Sequence, residues 1–301
     1  MKLTKMFDYY LNQYVIDERI TGISTAKSNI ENLERFFKNK QIEKLTADDI
    51  DDYKTFRRRR SIKNATIRRE LAVLKICLKL AVQKKHITEK FLDNLEIKLP
   101  KVEPRKVYPS QDEILLLLKS LPVYYRRLFF ASWRLGLRPR SEMRKLKFKH
   151  INFEKGLLEI QHNNGDFRIK NKRSFSPILD DSMIIFFRNL EREAKRIFGD
   201  NILNQYVFRS RKNTKINKWA VYKSFRNAQI KNNMTDDNNK WLYRPHDFRK
   251  AAAKYLLHDK RIPQKYICRY FTNHIDEDTF TKYYDIEDSS DFEHAVSLMR
   301  S

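Results

Sequence analysis

Between residues 99 and 109 the chain reads LPKVEPRKVYP, and three prolines in eleven residues bar both a helix and a central strand. A 301-residue chain interrupted there is expected to fold as two units, each burying its own core, and the length suffices for both. The boundaries that follow are a first unit over residues 1–100, a linker over 101–109 and a larger unit over 110–301.

The first unit reads as helices almost throughout. In LTADDIDDYKTF, Thr46 stands as an N-cap with Asp49 three residues on, and Leu45 and Ile50 form a hydrophobic staple. In NATIRRELAVLKICLKLAVQKK, Ile67, Leu71, Leu74, Leu78 and Ala81 recur at alternating steps of four and three, with Arg68, Arg69, Lys75 and Lys79 off that stripe. This is a helical bundle with a basic exterior. The run RRRR at 57–60 reads as a solvated or DNA-facing surface carrying nothing beyond charge.

The second unit opens at SQDEILLLLKSL, where Ser110 and Glu113 make a capping box ahead of an apolar run. Helices are expected to continue through about residue 147. LLEIQ, FRIKN and FSPIL then read as three short strands of an antiparallel sheet, the first two joined by the turn NNGD. Helical patterns resume from about Asp181 through KWAVYKSFRNAQI, RPHDFRKAAAKYLL and IPQKYICRYF. The fold class is mainly α with a small antiparallel β-sheet.

A net charge of +25, from 63 Lys+Arg against 38 Asp+Glu, implies a polyanionic partner. Residues 1–106 hold a surplus of 10 and the remainder a surplus of 15, so both units are basic, as expected of a clamp around nucleic acid. A membrane partner fits poorly, because no run of about 18 apolar residues exists. The N-terminal stretch MKLTKMFDYYLNQYVIDERI lacks the apolar core of a signal peptide, which places the chain in the cytoplasm. Five glycines leave no room for a Gly-rich phosphate loop, which argues against a nucleotide-driven motor or kinase. Cys77 and Cys268 lie in apolar helical patterns, read as buried thiols, and no Cys/His spacing suggests a metal site.

Five clusters in the second unit could serve one site: LGLRPRSEM (135–143), FRIKNKRSF (167–175), RPHDFRK (244–250), TNH (272–274) and TKYYD (281–285). In the third, His246 and Arg249 share a helix face near its N-terminal end, where unpaired N–H groups attract anions. Two arginines can hold the non-bridging oxygens of a phosphodiester with paired donors that lysine cannot reproduce.

In order and character these clusters resemble the catalytic domain of the tyrosine recombinase family, the phage integrases and related site-specific recombinases. The stretch from Leu45 to Lys85 looks like the helical, SAM-like core-binding domain of phage-type integrases. The resemblance implies a C-shaped clamp on double-stranded DNA and strand transfer through a 3′-phosphotyrosyl intermediate, with neither metal nor ATP. It implies Arg138 and Arg249 on the scissile phosphate, Lys170 as proton donor to the departing 5′ oxygen, His246 and His274 as hydrogen-bond donors, and Tyr284 as nucleophile. It also implies a homotetramer on two DNA sites, with accessory DNA-bending proteins as further partners.

Alternatives stay open at several positions: Arg140 beside Arg138, Lys172 beside Lys170, Asn273 in the place of His274, and Tyr283 at nine residues after His274 where Tyr284 stands at ten. Arg138 and Glu142 are four residues apart where the family usually has three, and Lys250 replaces a common histidine. Two other functions share the fold: a sequence-specific DNA-binding protein without a competent nucleophile, and a type IB topoisomerase-like relaxing enzyme. In the tail, DIEDSSDFEHAVSLMRS, Phe292, Ala295, Val296 and Met299 form one apolar face of a short helix that must dock, on a neighbouring subunit or on its own domain.

Overall fold

The computed structural model describes the chain except residues 18–21, 39, 104, 106, 163–164, 168, 170–172, 237–239, 274–279 and 282–301. The chain divides into two compact units, Met1–Glu103 and Pro104–Ser301.

In the first unit, α1 (Leu3–Ile16), α2 (Ile23–Phe37) and α3 (Ala47–Arg59) pack on α4 (Asn64–Gln83), followed by the short α5 (Glu89–Asn94). The sequence marks these boundaries locally. The Asp49 N–H donates to Thr46 Oγ1 (3.3 Å) and the Thr46 N–H donates to Asp49 Oδ2 (2.9 Å), so the capping box that starts α3 is complete. Ile67, Leu71, Leu74, Leu78 and Ala81 of α4 are fully buried, as their spacing requires. The arginine run departs from expectation. Arg57 follows Ile50 and Tyr53 at helical spacing on the inner face of α3, so it is buried while Arg58, Arg59 and Arg60 are exposed. Its guanidinium donates to the buried Glu70 from Nε (3.0 Å) and Nη2 (2.6 Å), and Tyr53 Oη donates to the same carboxylate (2.8 Å).

In the second unit, α6 (Gln111–Ser120) begins at the Ser110/Glu113 capping box and packs on α7 (Val123–Leu135) and α9 (Lys218–Lys231). Helix α8 (Asp181–Phe198) is capped by Asp180, which accepts from the Met183 N–H (2.9 Å). Helix α10 (Asp247–Lys254) lies against α7, and Phe129, Phe225 and Phe248 stack α7, α9 and α10 together at 5.0–5.4 Å. It continues as a π-type turn, Tyr255–Asp259, and α11 (Gln264–Tyr266) likewise continues as Ile267–Thr272.

The helical reading through residue 147 is corrected. α7 stops at Leu135 because Gly136 adopts a left-handed conformation (φ 64°) and Pro139 follows, leaving short 3₁₀ turns at Met143–Lys145 and Phe148–His150. The sheet is also smaller and differently paired than expected. β1 (Ile151–Asn152) pairs antiparallel with β2 (Leu157–Leu158), and residues 157–160 pair on their other side with 175–178. Asn163 and Asn164 of the turn NNGD, and Arg168, Lys170 and Asn171 of FRIKN, lie outside the described residues. His162 and Phe167 form a single parallel bridge.

Cys77 and Cys268 are both buried, and burial pushes the Cys77 thiol up to about 12, which leaves it unreactive. No helix among the described residues is long and apolar enough to cross a membrane.

Candidate active site

Gly136 turns the chain out of α7, and the next residues close on themselves through Glu142. The Arg138 N–H donates to Glu142 Oε2 (2.7 Å), Arg138 Nη1 donates to Oε1, and the Glu142 N–H donates back to the Arg138 carbonyl (3.0 Å). A spacing of four thus puts the carboxylate within reach of both the backbone and the guanidinium of one residue. Arg138 Nε and Nη2 make no hydrogen bond among the described residues, and 29 % of the side chain is exposed, so one edge is available to an anion. Arg140 leaves in another direction: its guanidinium carbon lies 5.2 Å from the Trp219 ring centre and 5.5 Å from that of Tyr222.

Arg249 enters from α10, fully buried. Its Nη1 donates to the Gly136 carbonyl (2.8 Å) and lies 3.8 Å from Glu142 Oε2, and its Nη2 donates to the Thr272 carbonyl. One guanidinium therefore ties together the Arg138 turn, α10 and the end of the 267–272 segment. His246, the residue before α10, is exposed, and its carbonyl accepts from the Arg249 N–H (3.1 Å). Beyond Thr272, Asn273 adopts a left-handed conformation (φ 47°), which Asn tolerates better than most residues, and its Nδ2 donates to the Arg173 carbonyl (2.9 Å).

Around the 145–150 segment the charge is dense. Lys147 Nζ (2.5 Å), Lys149 Nζ (2.8 Å) and His150 Nε2 (3.2 Å) converge on Asp166, whose carboxyl these groups hold far below the usual carboxylate range despite its burial. Burial lowers the Lys145 and Lys215 pKa values, and the neighbouring Arg144 lowers both further. His150 is also lowered, mainly by burial and against the pull of Asp166.

The sequence model described as the phage integrase family matches residues 110–290, and that of the phage integrase SAM-like domain matches residues 2–98. The chain belongs to the phage integrase family. Among curated proteins no sequence matches it. Among solved structures, a lambda integrase (75–356) dimer bound to a COC′ core site superposes with a TM-score of 0.74 at 17% identity, covering 95% of this chain and 96% of that one. A Tn1549 transposon integrase in complex with transposon right end DNA gives 0.74 at 15% identity, covering 100% of both. A lambda integrase tetramer bound to a Holliday junction gives 0.70 at 17% identity, covering 92% of this chain and 78% of that one. At these identities the likeness shows a shared fold.

Within this integrase fold the structure brings Arg138, Glu142 and Arg249 together, with His246 one helical turn from Arg249. Lys170, Lys172, His274, Tyr283, Tyr284 and the tail from 290 lie outside the described residues. Three features escaped the sequence reading. Glu142 bridges the two arginines. Lys250 is buried with its Nζ on the Arg105 carbonyl, while Arg105 pairs with Asp247 and reaches the Leu242 carbonyl. The basic group Arg144, Lys145, Lys147 and Lys149 was visible as EMRKLKFKH directly after the arginine turn, but its closeness to Lys215 depends on the fold. Among the described residues no group of three or more His, Cys, Asp or Glu could hold a metal ion.

Proposed function

We propose that this phage integrase family member is a site-specific DNA recombinase that cleaves and rejoins strands through a 3′-phosphotyrosyl intermediate. The observation that supports this reading most is the Arg138–Glu142–Arg249 arrangement. It offers a half-open guanidinium, oriented by a buried carboxylate, with a second arginine directly behind it. Such preorganised donors favour the charge that develops on the non-bridging oxygens in the transition state.

In this reading Tyr284 Oη attacks phosphorus and passes its proton to His246. The bond from phosphorus to the 5′ oxygen breaks, and Lys170 protonates that oxygen. A 5′ hydroxyl from the partner strand then reverses the step, so the phosphodiester energy is kept. Arg138 meets the phosphate with its free edge. Arg249, buried behind Arg138, holds the Gly136 and Thr272 carbonyls that frame the arginine turn. The pairing of two duplexes in a tetramer belongs to the same reading, as does the +25 charge that holds the DNA backbone.

The test is a nicked suicide substrate built on duplexes that the protein selects from a random pool. A covalent adduct that forms with the wild type and Tyr283→Phe but not with Tyr284→Phe supports the reading. The reverse pattern moves the nucleophile to Tyr283. Selection of a defined site without any adduct means a DNA-binding protein of the same fold. Relaxation of plasmids lacking that site points to a topoisomerase-like activity.

A further inference from the structure

Arg105 stands in the proline-rich stretch yet belongs to the second unit, where it is fastened to α10 at both its side chain and its backbone. Its Nη1 donates to Asp247 Oδ2 and its Nη2 to the Leu242 carbonyl, while Lys250 Nζ donates to the Arg105 carbonyl. Three residues on, Tyr108 Oη accepts from Lys254 Nζ (3.0 Å). Asp247, Lys250 and Lys254 follow one another at steps of three and four, so these contacts run along one face of the helix. Arg249 leaves α10 off that face, toward the Gly136 and Thr272 carbonyls. The helix is held from two directions.

Asp247 is where this hold reaches the candidate site. Its Oδ2 accepts the Arg244 N–H (2.8 Å), and its own N–H donates to the Arg244 carbonyl (2.8 Å), so the turn 244–247 is closed by one residue. His246 lies inside that turn, and its carbonyl accepts from the Arg249 N–H (3.1 Å). Only 3 % of the Asp247 side chain is exposed, and a carboxylate so far removed from water needs a cation in contact with it. Lys250 Nζ stands 4.0 Å from Asp247 Oδ1, spends a donor on the Arg105 carbonyl, and has its charge disfavoured by burial. Arg105 keeps its charge and meets the carboxylate directly.

We propose that Arg105 is a positioning residue for His246, locking the 244–247 turn that presents the histidine by neutralising Asp247. This rests on the reading of His246 as the group that takes the proton of the attacking tyrosine.

The test compares single-turnover cleavage in two backgrounds, on duplexes selected by the wild type. Arg105→Gln, with His246 present, should slow cleavage about 10- to 100-fold, within the span of general-base effects, at unchanged duplex affinity. With His246→Ala in place, the same substitution should change the rate by less than about twofold, because there is no histidine left to misplace. Arg105→Lys keeps the charge without the two-pronged grip, so its rate should fall between those of Arg105→Gln and the wild type. Should Arg105→Gln fail to fold, Arg105→Lys in the same two backgrounds decides by the same comparison. Equal slowing in both backgrounds means that Arg105 acts on the fold or on DNA binding and overturns the proposal, as does an unchanged rate with His246 present. If His246→Ala alone leaves cleavage at the wild-type rate, the proton-transfer reading of His246 fails first and takes the role of Arg105 with it.

Discussion

Arg249 and Glu142 meet at 3.8 Å inside the protein, the arginine with no exposed surface and the glutamate with 7 % of its side chain exposed. The other oxygen of Glu142 holds Arg138, so a single carboxylate offsets two guanidinium charges, one of them wholly removed from water. Removing one member of a buried charge pair strands the other, at a cost of about 3–5 kcal/mol. Glu142→Gln should therefore lower stability by about that much in urea unfolding, besides slowing cleavage. A loss below about 1 kcal/mol would mean that the Gly136 and Thr272 carbonyls already compensate Arg249.

The two arginines should separate by their effect on stability. Arg138 is partly exposed with an edge to spare, so Arg138→Ala should abolish adduct formation while unfolding shifts by no more than about 1 kcal/mol. Duplex affinity should fall only modestly, because backbone contacts are spread over many residues. Arg249→Ala removes the donor to both carbonyls and should cost stability and cleavage together. Equal destabilisation by both variants would argue that Arg138 is a fold support.

The pH dependence of stability should carry the mark of His150. Burial lowers its pKa, and the charges facing it are Asp166, which opposes that shift, and Lys147 and Lys149, which add to it. Because the folded pKa lies below the unfolded one, the unfolded chain binds the extra proton. The stabilisation is complete above the unfolded value of about 6.5 and is lost as pH falls toward the folded value. Asp166 contributes in the same direction but only at more acid pH, through its own much lower range. Melting temperatures between pH 7.5 and about 5 should therefore fall for the wild type and fall less for His150→Gln. Parallel curves would place the titration elsewhere.

What the sequence disclosed depends on the range of the interaction. The Thr46/Asp49 and Ser110/Glu113 caps and the α4 stripe rest on neighbours within a few turns, and the structure reproduces them. Gly136 and Pro139 marked the early end of α7 just as locally, and the apolar residues beyond them masked that signal. The role of Arg57 could have been read from its register with Ile50 and Tyr53, but its partner Glu70 stands in another helix. The arginine turn was legible as a motif. The burial of Arg249 was not, because its partners Gly136 and Thr272 lie 113 and 23 residues away in the chain. Asp166 gathers Lys145, Lys147, Lys149 and His150, a convergence that spacing along the sequence does not reveal.

Lys215 gives the last prediction. It lies among Arg144, Lys145 and Lys147, where burial and these cations disfavour its charge and the carboxylate of Asp166 offsets them only in part. Such crowding costs the free protein stability, which the Tyr206 ring 5.4 Å from the Lys215 ammonium offsets only in part, and a DNA phosphate placed there would relieve it. Lys215→Gln should therefore raise the melting temperature while weakening duplex binding. The slope of log K against log salt should become shallower by about 0.9, the value for one phosphate contact. The opposite signs of the two effects are the diagnostic. A variant that melts higher with an unchanged salt slope would show that the cluster lies away from the DNA path, and one that melts lower would show that Lys215 is a structural contact.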